Sequence, residues 1–158
     1  MPELNIKFEL ATTGEEFDFA KDLFQQYAKS LSIDLSFQDF TNELKTIDKQ
    51  YSKPGGALLL AYDNNAAIGC VALRKFDSET AELKRMFIRP EYRKHKIGKK
   101  LLELITEIAK ELNYKKMRLD TLPDMEQAQR IYKAYGFYEI PPYRYNPVPG
   151  TLYMEKEL

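Results

Sequence analysis

The sequence predicts one α/β (α+β) domain over residues 1–158, with a mixed, mostly antiparallel central sheet flanked by helices on both faces. The 158-residue length suits a single domain, and 44% hydrophobic with 30% charged residues is a normal globular composition. Three β-like apolar runs follow one another over residues 57–88, as in strands joined by hairpins. Helical patterns then alternate with short apolar runs, and such crossovers make the sheet mixed.

The first half is predicted in the order β-α-α-β-β-β. A short strand covers Ile6 to Leu10, and Thr13 with Glu16 has the spacing of a capping box. One helical face follows at steps of three or four residues: Phe17, Ala20, Phe24, Tyr27 and Leu31. A second, shorter helix is indicated by Phe37, Phe40 and Leu44, with Ser36 as its N-cap. Strands at 57–62 and 66–74 enclose a turn at residues 63–65, and a third strand at 81–88 stops at Pro90.

The second half is predicted as α-β-α-β-β. Apolar residues recur at helical spacing from Ile97 to Leu112, and a strand follows at 117–121. Another helical face covers residues 125–135, with Gly136 as the glycine that ends the helix. A short run at 137–140, a proline-rich loop and a strand near 152–157 complete the chain.

Charge is distributed very unevenly along a chain whose formal net charge is zero. Residues 1–50 hold five basic and ten acidic side chains, whereas residues 84–100 hold eight basic side chains against Glu91 alone. This basic segment lies between a strand end and the first turn of a helix, where free N–H groups and the helix dipole attract phosphate. Gly98 would let a ligand approach the backbone closely. We therefore expect a phosphorylated ligand there, with a merely solvated basic helix start as the alternative.

Several classes of protein are disfavoured. The segment has neither a Walker loop nor a dinucleotide-binding fingerprint. No apolar run approaches the roughly 18 residues of a membrane span, and the first ten residues lack the apolar region of a secretory signal. With one histidine and one cysteine, no metal site is expected. The single Cys70 favours a reducing, cytoplasmic setting, and in its strand it is interpreted as a small core residue.

The segment from Glu82 to Leu102 resembles the acetyl-CoA-binding segment of the GNAT (Gcn5-related) N-acetyltransferases. The family signature Arg/Gln-x-x-Gly-x-Gly/Ala is matched by the stretch from Arg93 to Gly98, and a later motif by Ala128-x-x-x-Tyr132-x-x-x-Gly136-Phe137. One departure is Lys96 in place of the first glycine, which would be strained by about 1 kcal/mol or more if its φ is positive. The resemblance implies the GNAT fold and the following cofactor-binding residues: Met86, Phe87 and Ile88 along pantetheine, and Arg93, Lys94, His95, Lys96, Ile97, Gly98 and Lys99 around the pyrophosphate.

The resemblance also implies two catalytic residues. Tyr132 would be the general acid that protonates the thiolate of CoA, with a core tyrosine as the alternative. Glu82 would be the general base for the incoming amine, with an ion pair to Lys84 or Arg74 as a nearly equal alternative. Strict alternation, if no bulge is present, places Glu82, Lys84 and Met86 on one face. Asp120 is a weaker candidate base, and His95 is interpreted as part of the phosphate loop.

The implied activity is direct transfer of acetyl from acetyl-CoA to a primary amine of a small molecule or peptide, an acyltransferase reaction that needs no metal. A cationic, partly apolar acceptor is expected between residues 13–45, 57–74 and 141–150, near Tyr27, Phe37, Tyr143 and Tyr145. Two alternatives are a CoA-binding protein without catalysis and, more weakly, a nucleic-acid-binding module that uses residues 84–100. We expect no nucleic-acid or membrane partner and either a monomer or a homodimer, in which the last strand and the proline-rich loop would offer a sheet edge.

Overall fold

The computed structural model describes residues 5–31, 34–35 and 39–158. Its strands are β1 (Ile6–Leu10), β2 (Ala57–Asp63), β3 (Ala66–Lys75), β4 (Thr80–Ile88), β5 (Lys116–Thr121), β6 (Tyr138–Ile140) and β7 (Leu152–Glu157). Its helices are α1 (Gly14–Ser30), α2 (Phe40–Lys45), α3 (Ile47–Gln50), α4 (Ile97–Glu111) and α5 (Glu126–Ala134), with a 3₁₀ helix at Pro90–His95. Within these residues, no helix combines the length and apolarity needed to cross a membrane.

The seven strands form one sheet in the order β1-β2-β3-β4-β5-β7-β6, and every neighbouring pair is antiparallel except β4–β5. One face packs on α4 and α5 through a core that includes Leu101, Ile105 and Met117. The opposite face packs on α1 and α3 through a second core that includes Phe24 and Ile47. The predicted fold class, a mixed and mostly antiparallel sheet with helices on both faces, is confirmed.

Local signals in the sequence locate most element ends correctly. Thr13 and Glu16 make the reciprocal hydrogen bonds of a capping box at the start of α1. Gly136 has a φ of 104° after α5, a conformation that glycine adopts without steric cost. Helix α3 and the 3₁₀ helix were not predicted, since four to six residues are too few to show a helical period.

The predicted cap of the second helix lies outside the described residues, and the predicted position of the last strand in the sheet differs from the structure. Helix α2 begins at Phe40 after Asp39, while the predicted cap Ser36 and the predicted face residue Phe37 lie outside the described residues. The last strand does not form a sheet edge, because β7 lies between β5 and β6. That part of the dimer-edge hypothesis is wrong, and β6 is the edge strand at this side of the sheet.

A β-bulge in β4 corrects the predicted face of Met86. Cys70 of β3 is opposite Phe87 and Ala72 is opposite Lys84, so Arg85 and Met86 share one position on the neighbouring strand. Arg85 has a φ of 56°, and its carbonyl accepts a hydrogen bond from the buried thiol of Cys70 at 3.3 Å. Beyond the bulge, Met86 packs in the core under α4 and α5, on the face opposite the one where Phe87 packs against α1. Alternation without a bulge therefore gave the wrong face.

The parallel strands β4 and β5 pair over only three positions, Thr80–Lys116, Ala81–Met117 and Glu82–Arg118. Beyond these pairs the two strands separate, and the edge of β4 that faces β5 is left without a partner strand. The sheet consequently contains a wedge-shaped cleft that opens toward the carboxyl ends of both strands. The basic segment, residues 84–100, begins in β4 two residues after the last of these pairs.

Candidate functional site

A groove of about 680 Å³ runs along the end of β4 and the first turn of α4, with α5 as its other wall. Eight of the ten predicted cofactor-binding residues line it: Met86, Phe87, Ile88, Arg93, Lys94, Lys96, Gly98 and Lys99. The other two do not. Ile97 is buried in the core, and the exposed His95 is not among the lining residues.

The first turn of α4 presents free backbone donors to this groove. Its N-cap residue, Lys96, makes no side-chain capping bond, and the first helical bond runs from the amide of Lys100 to the carbonyl of Lys96 at 3.2 Å. The amides of Ile97, Gly98 and Lys99 precede that bond and so have no partner within the helix. Together with Lys94 and Lys99, they form a suitable cradle for a phosphorylated group.

Gly98 is required by packing as well as by access. A Cβ at this position would lie 3.0 Å from Cδ1 of Ile88 and 3.7 Å from Cδ1 of Ile131, both of which line the groove. A larger side chain would therefore displace the groove wall. Arg93 supports the same wall, because its Nε donates to the carbonyl of Ile88 at 3.0 Å and its guanidinium lies 5.7 Å from the ring centre of Phe87.

Lys96 adopts the left-handed conformation that its place in the motif implies, with a φ of 57°. A side chain with a Cβ is strained there, so we expect Lys96→Gly to raise the free energy of unfolding by about 0.5–1 kcal/mol. Denaturant unfolding measures this change. Lys99→Gly, in the first turn of α4 itself, is the matched control and should lower stability by about 0.5–1 kcal/mol. A loss of stability in Lys96→Gly would contradict the strain.

A smaller cavity of about 50 Å³ lies in the cleft between β4 and β5 and shares part of its wall with the groove. The shared lining residues are Tyr27, Met86, Met125 and Ala128. The polar groups that line the small cavity come from five places in the chain: Tyr27 on α1, Lys84 and Arg85 on β4, Asp120 and Thr121 on β5, Tyr132 on α5 and Asn146 in the proline-rich loop. The groove thus leads into a compact, largely polar pocket.

Tyr132 is buried in the wall of this pocket, and its ring packs edge-on against Phe137 with centres 5.7 Å apart. Burial raises the pKa of its hydroxyl well above the usual value, and the charges that Tyr27 and Asp120 carry when ionised add to the effect. A free thiol has a pKa of about 8.5. The Tyr132 hydroxyl therefore stays protonated at neutral pH.

Glu82 is fully buried but does not line the small cavity. Its carboxylate accepts from Nε of Arg74 at 2.8 Å, from the guanidinium of Arg144 at 2.7 and 2.8 Å, and from the hydroxyl of Tyr143 at 3.0 Å. Burial acts to raise the pKa of Glu82, but the positive charges of Lys84, Arg74 and Arg144 outweigh it, so the pKa is lowered. The alternative interpretation, an ion pair with Arg74, is confirmed, and such a carboxylate is a weak base.

Asp120 was the weaker candidate in the sequence, yet it is the one carboxylate among the described residues that line the small cavity. It lies at the end of β5, and its carboxylate is 3.4 Å from the amide nitrogen of Asn146. Glu82 was the preferred candidate base because it belongs to the segment that resembles the GNAT family. The usable signal for Asp120 was its place at the carboxyl end of a strand next to a cleft, where ligands bind in open sheets.

Lys84 is 4% exposed and lines the small cavity. Burial lowers its pKa to about 8, and Arg85 and Arg74 add to this effect, while Glu82 and Asp120 oppose it. The neighbouring guanidinium of Arg85 is held by Glu43, with two hydrogen bonds of 2.8 and 2.9 Å between side chains that are each 3% exposed. The charge of Arg85 is thereby balanced within the fold.

The lowered pKa of Lys84 predicts a rise in stability at alkaline pH. The folded protein binds this proton more weakly than the unfolded chain, so the contribution of Lys84 to stability increases as pH rises from about 8 towards the ordinary value of 10.5. We expect denaturant unfolding at pH 7, 8, 9 and 10 to show that wild type gains stability relative to Lys84→Met as the pH rises above about 8. A difference that stays constant across the series would contradict the lowered pKa.

The described part of the chain holds no group of three or more His, Cys, Asp or Glu side chains arranged to bind a metal ion. The charged side chains at the cleft are instead engaged with one another or face the small cavity. Among the described residues, the polar side chains at the small cavity are therefore two phenols, a hydroxyl, an amide, a carboxylate, an ammonium and a guanidinium, and the first turn of α4 adds backbone amides in the neighbouring groove.

Comparison with known proteins gives one consistent result. Residues 18–137 match the model of the Acetyltransferase (GNAT) family. An uncharacterised N-acetyltransferase of Schizosaccharomyces pombe is 36% identical over 160 aligned residues, covering 100% of this chain and 98% of the relative. A GNAT-family acetyltransferase of Staphylococcus aureus has a similar structure, with a TM-score of 0.80 and 25% identity over 97% of this chain and 99% of that protein.

A GNAT-family acetyltransferase of Elizabethkingia anophelis, solved with acetyl-CoA bound, has a TM-score of 0.69 and 25% identity over 98% of this chain and 99% of that protein. The family match covers the cleft, the start of α4 and the helix that carries Tyr132. The resemblance found in the sequence is confirmed. This chain belongs to the GNAT family of acetyltransferases.

Proposed function

We propose that this protein transfers the acetyl group of acetyl-CoA directly to a primary amine of a small molecule. The observation that carries this proposal is the continuity of the groove at the start of α4 with the small cavity that contains Tyr132. One end of this path suits a phosphorylated ligand, and the other end has a proton donor suited to a departing thiolate. The relative with acetyl-CoA bound supports the same ligand.

In this proposal the pyrophosphate of acetyl-CoA binds at the amides of Ile97, Gly98 and Lys99, with Arg93, Lys94 and Lys96 around it. The predicted contribution of His95 is limited to the outer rim, since its side chain does not line the groove. Pantetheine lies along the unpaired edge of β4 at Met86, Phe87 and Ile88, where its amides find the backbone groups that β5 leaves free. The acetyl group then reaches the small cavity.

The chemical step joins the amine nitrogen to the thioester carbonyl carbon, and the carbon–sulfur bond breaks. Tyr132 gives its proton to the sulfur as CoA leaves. The proton that the amine must lose goes to Asp120, directly or through water, because that carboxylate lines the same cavity. Holding both reactants at one site, where the groove meets the small cavity, supplies the proximity that favours direct transfer.

In this proposal Glu82 positions neighbouring side chains, whereas the sequence predicted that it would be the general base. Its four contacts fix Arg74, Arg144 and Tyr143, so the carboxylate positions the proline-rich loop against the sheet. A base needs a lone pair that is free to accept a proton, and donors surround this carboxylate. Its effect on acetyl transfer would accordingly act through the position of the loop.

The test is release of free CoA thiol from acetyl-CoA in the presence of amino acids, aliphatic amines, polyamines, aminoglycosides and short peptides. We expect acceptor-dependent thiol release, with the acetylated product identified by mass spectrometry. Stabilisation by CoA without turnover of any acceptor would instead favour the non-catalytic CoA-binding alternative.

A further inference from the structure

The 3₁₀ helix at Pro90–His95 begins the basic loop of the groove but contributes no buried residue to the fold. Five of the eight residues from 93 to 100 are lysine or arginine, so their like charges repel one another when no anion is bound. Lys96 also adopts the left-handed conformation, which is strained for a residue with a Cβ. The loop therefore needs a contact outside itself to keep the shape that the groove requires.

Tyr92 supplies such a contact. Its hydroxyl donates a hydrogen bond of 2.6 Å to the carboxylate of Asp63, which lies 29 residues earlier in the chain. Among the described residues, this is the one side-chain hydrogen bond that joins Pro90–His95 to a strand other than β4. The bond to the carboxylate also raises the pKa of Tyr92, so the hydroxyl remains a donor at neutral pH.

Both partners of this hydrogen bond are fixed by the fold. Asp63 ends β2 and pairs with Ile6 of β1 on one side and Ala66 of β3 on the other, so neighbouring strands hold its backbone. The ring of Tyr92 packs against the core under α4 and α5. Arg93, which lines the groove, follows Tyr92 directly in the chain. The hydrogen bond thus sets the position of the basic loop relative to the sheet.

We propose, on the basis of the acetyl-CoA binding argued above, that Tyr92 and Asp63 are positioning residues for the cofactor. Their hydrogen bond holds the basic loop in the conformation that binds pyrophosphate before the ligand arrives. Neither residue is among those that line the groove, so the effect acts through the loop. A loop that adopts the binding conformation for only a fraction of the time has an apparent Kd raised by the inverse of that fraction.

The negative charge of Asp63 makes the proposal easy to distinguish from a through-space effect. A carboxylate near a phosphate site repels the ligand, so removal of the charge alone would tighten binding. Removal of the hydrogen bond should instead weaken binding. The two effects have opposite directions, and a measurement of affinity separates them.

The experiment measures the Kd of acetyl-CoA by calorimetry for variants of both partners. Tyr92→Phe keeps the ring and removes only the hydroxyl, and we expect its Kd to rise at least about threefold, as the loss of one hydrogen bond produces. Asp63→Ala should also raise the Kd, although it removes a negative charge. The double variant should bind no more weakly than the weaker single variant, because both changes break the same contact. With an acceptor identified in the panel above, Tyr92→Phe should raise KM for acetyl-CoA while kcat stays within about twofold.

Two matched controls accompany these variants. Tyr138→Phe removes a tyrosine hydroxyl that donates to the carboxylate of Glu155 at 3.2 Å, outside the groove, and should leave the Kd unchanged. Glu91→Gln removes an exposed negative charge next to Tyr92 and should leave the Kd unchanged or lower it. Thermal unfolding confirms that each variant is folded, and Tyr92→Phe carries the test alone if Asp63→Ala is not.

A Kd that rises less than about threefold in Tyr92→Phe, or that rises equally in Tyr138→Phe, would overturn the proposed positioning. So would tighter binding by Asp63→Ala, which would show that the carboxylate acts through its charge alone. Wild-type protein that does not bind acetyl-CoA would instead overturn the proposed function on which this inference rests.

Discussion

Tyr132→Phe is expected to lower kcat for acetyl transfer by about 10²–10⁴-fold while the Kd for acetyl-CoA changes less than about threefold. The variant keeps the aromatic ring and its contact with Phe137 but loses the hydroxyl that would protonate the departing sulfur. The ring should fill the same space, so the fold and the groove are preserved. Stopped-flow or steady-state thiol release gives kcat, and thermal shift or calorimetry gives the Kd.

Tyr135→Phe provides the matched control, since it removes a hydroxyl from the end of the same helix. Tyr135 packs against the ammonium of Lys156 and does not line the small cavity. Its kcat should remain within about twofold of wild type. A Tyr132→Phe enzyme with wild-type kcat would show that the hydroxyl is a buried core group without a part in proton transfer.

Glu43→Ala is expected to lower the free energy of unfolding by about 3–5 kcal/mol, which is the largest stability effect we predict for a single substitution. It leaves the guanidinium of Arg85 buried without the carboxylate that accepts its two hydrogen bonds. The Arg85 side chain is 3% exposed and belongs to a strand that forms the cleft, so water cannot readily replace the lost partner. Urea unfolding measures the change.

Two further variants test whether the loss of stability comes from an unpaired buried charge rather than from the loss of any ion pair. Glu107→Ala breaks an exposed ion pair with Lys110, whose atoms are 3.3 Å apart, and should change stability by less than about 1 kcal/mol. The double variant Glu43→Ala with Arg85→Met removes both buried charges and should recover much of the loss. If Glu43→Ala were as mild as Glu107→Ala, the pair between α2 and β4 would contribute little to the fold.

The sequence predicted the order of the longer elements well because each carried a local signal. Period-two and helical patterns, the capping box at Thr13 and the glycine at 136 each act over a few residues. The β4 bulge had no such signal, because Arg85 adopts a positive φ in the middle of the strand, where glycine would be the expected residue. One extra residue there reversed the predicted face of Met86.

The candidate site likewise contains residues that local sequence signals predicted and contacts that no local signal predicted. The residues of the groove could be predicted, since strand, loop and helix start are continuous in sequence and eight of the ten expected residues line it. That Lys84 and Asp120 line the same small cavity could not be predicted, because it depends on where β4 and β5 separate. Likewise, nothing local to Glu82 indicates that Arg144 and Tyr143, some 60 residues later, surround its carboxylate.

Thermal unfolding with and without acetyl-CoA tests the central claim most directly, because a ligand that binds the native state must raise its stability. At a concentration of about 100 Kd the gain is about 2.7 kcal/mol, which corresponds to roughly 5–11 °C in Tm for a domain of this size. We expect a shift of this order with acetyl-CoA and with CoA. An unchanged Tm at millimolar acetyl-CoA would contradict the assignment of the groove.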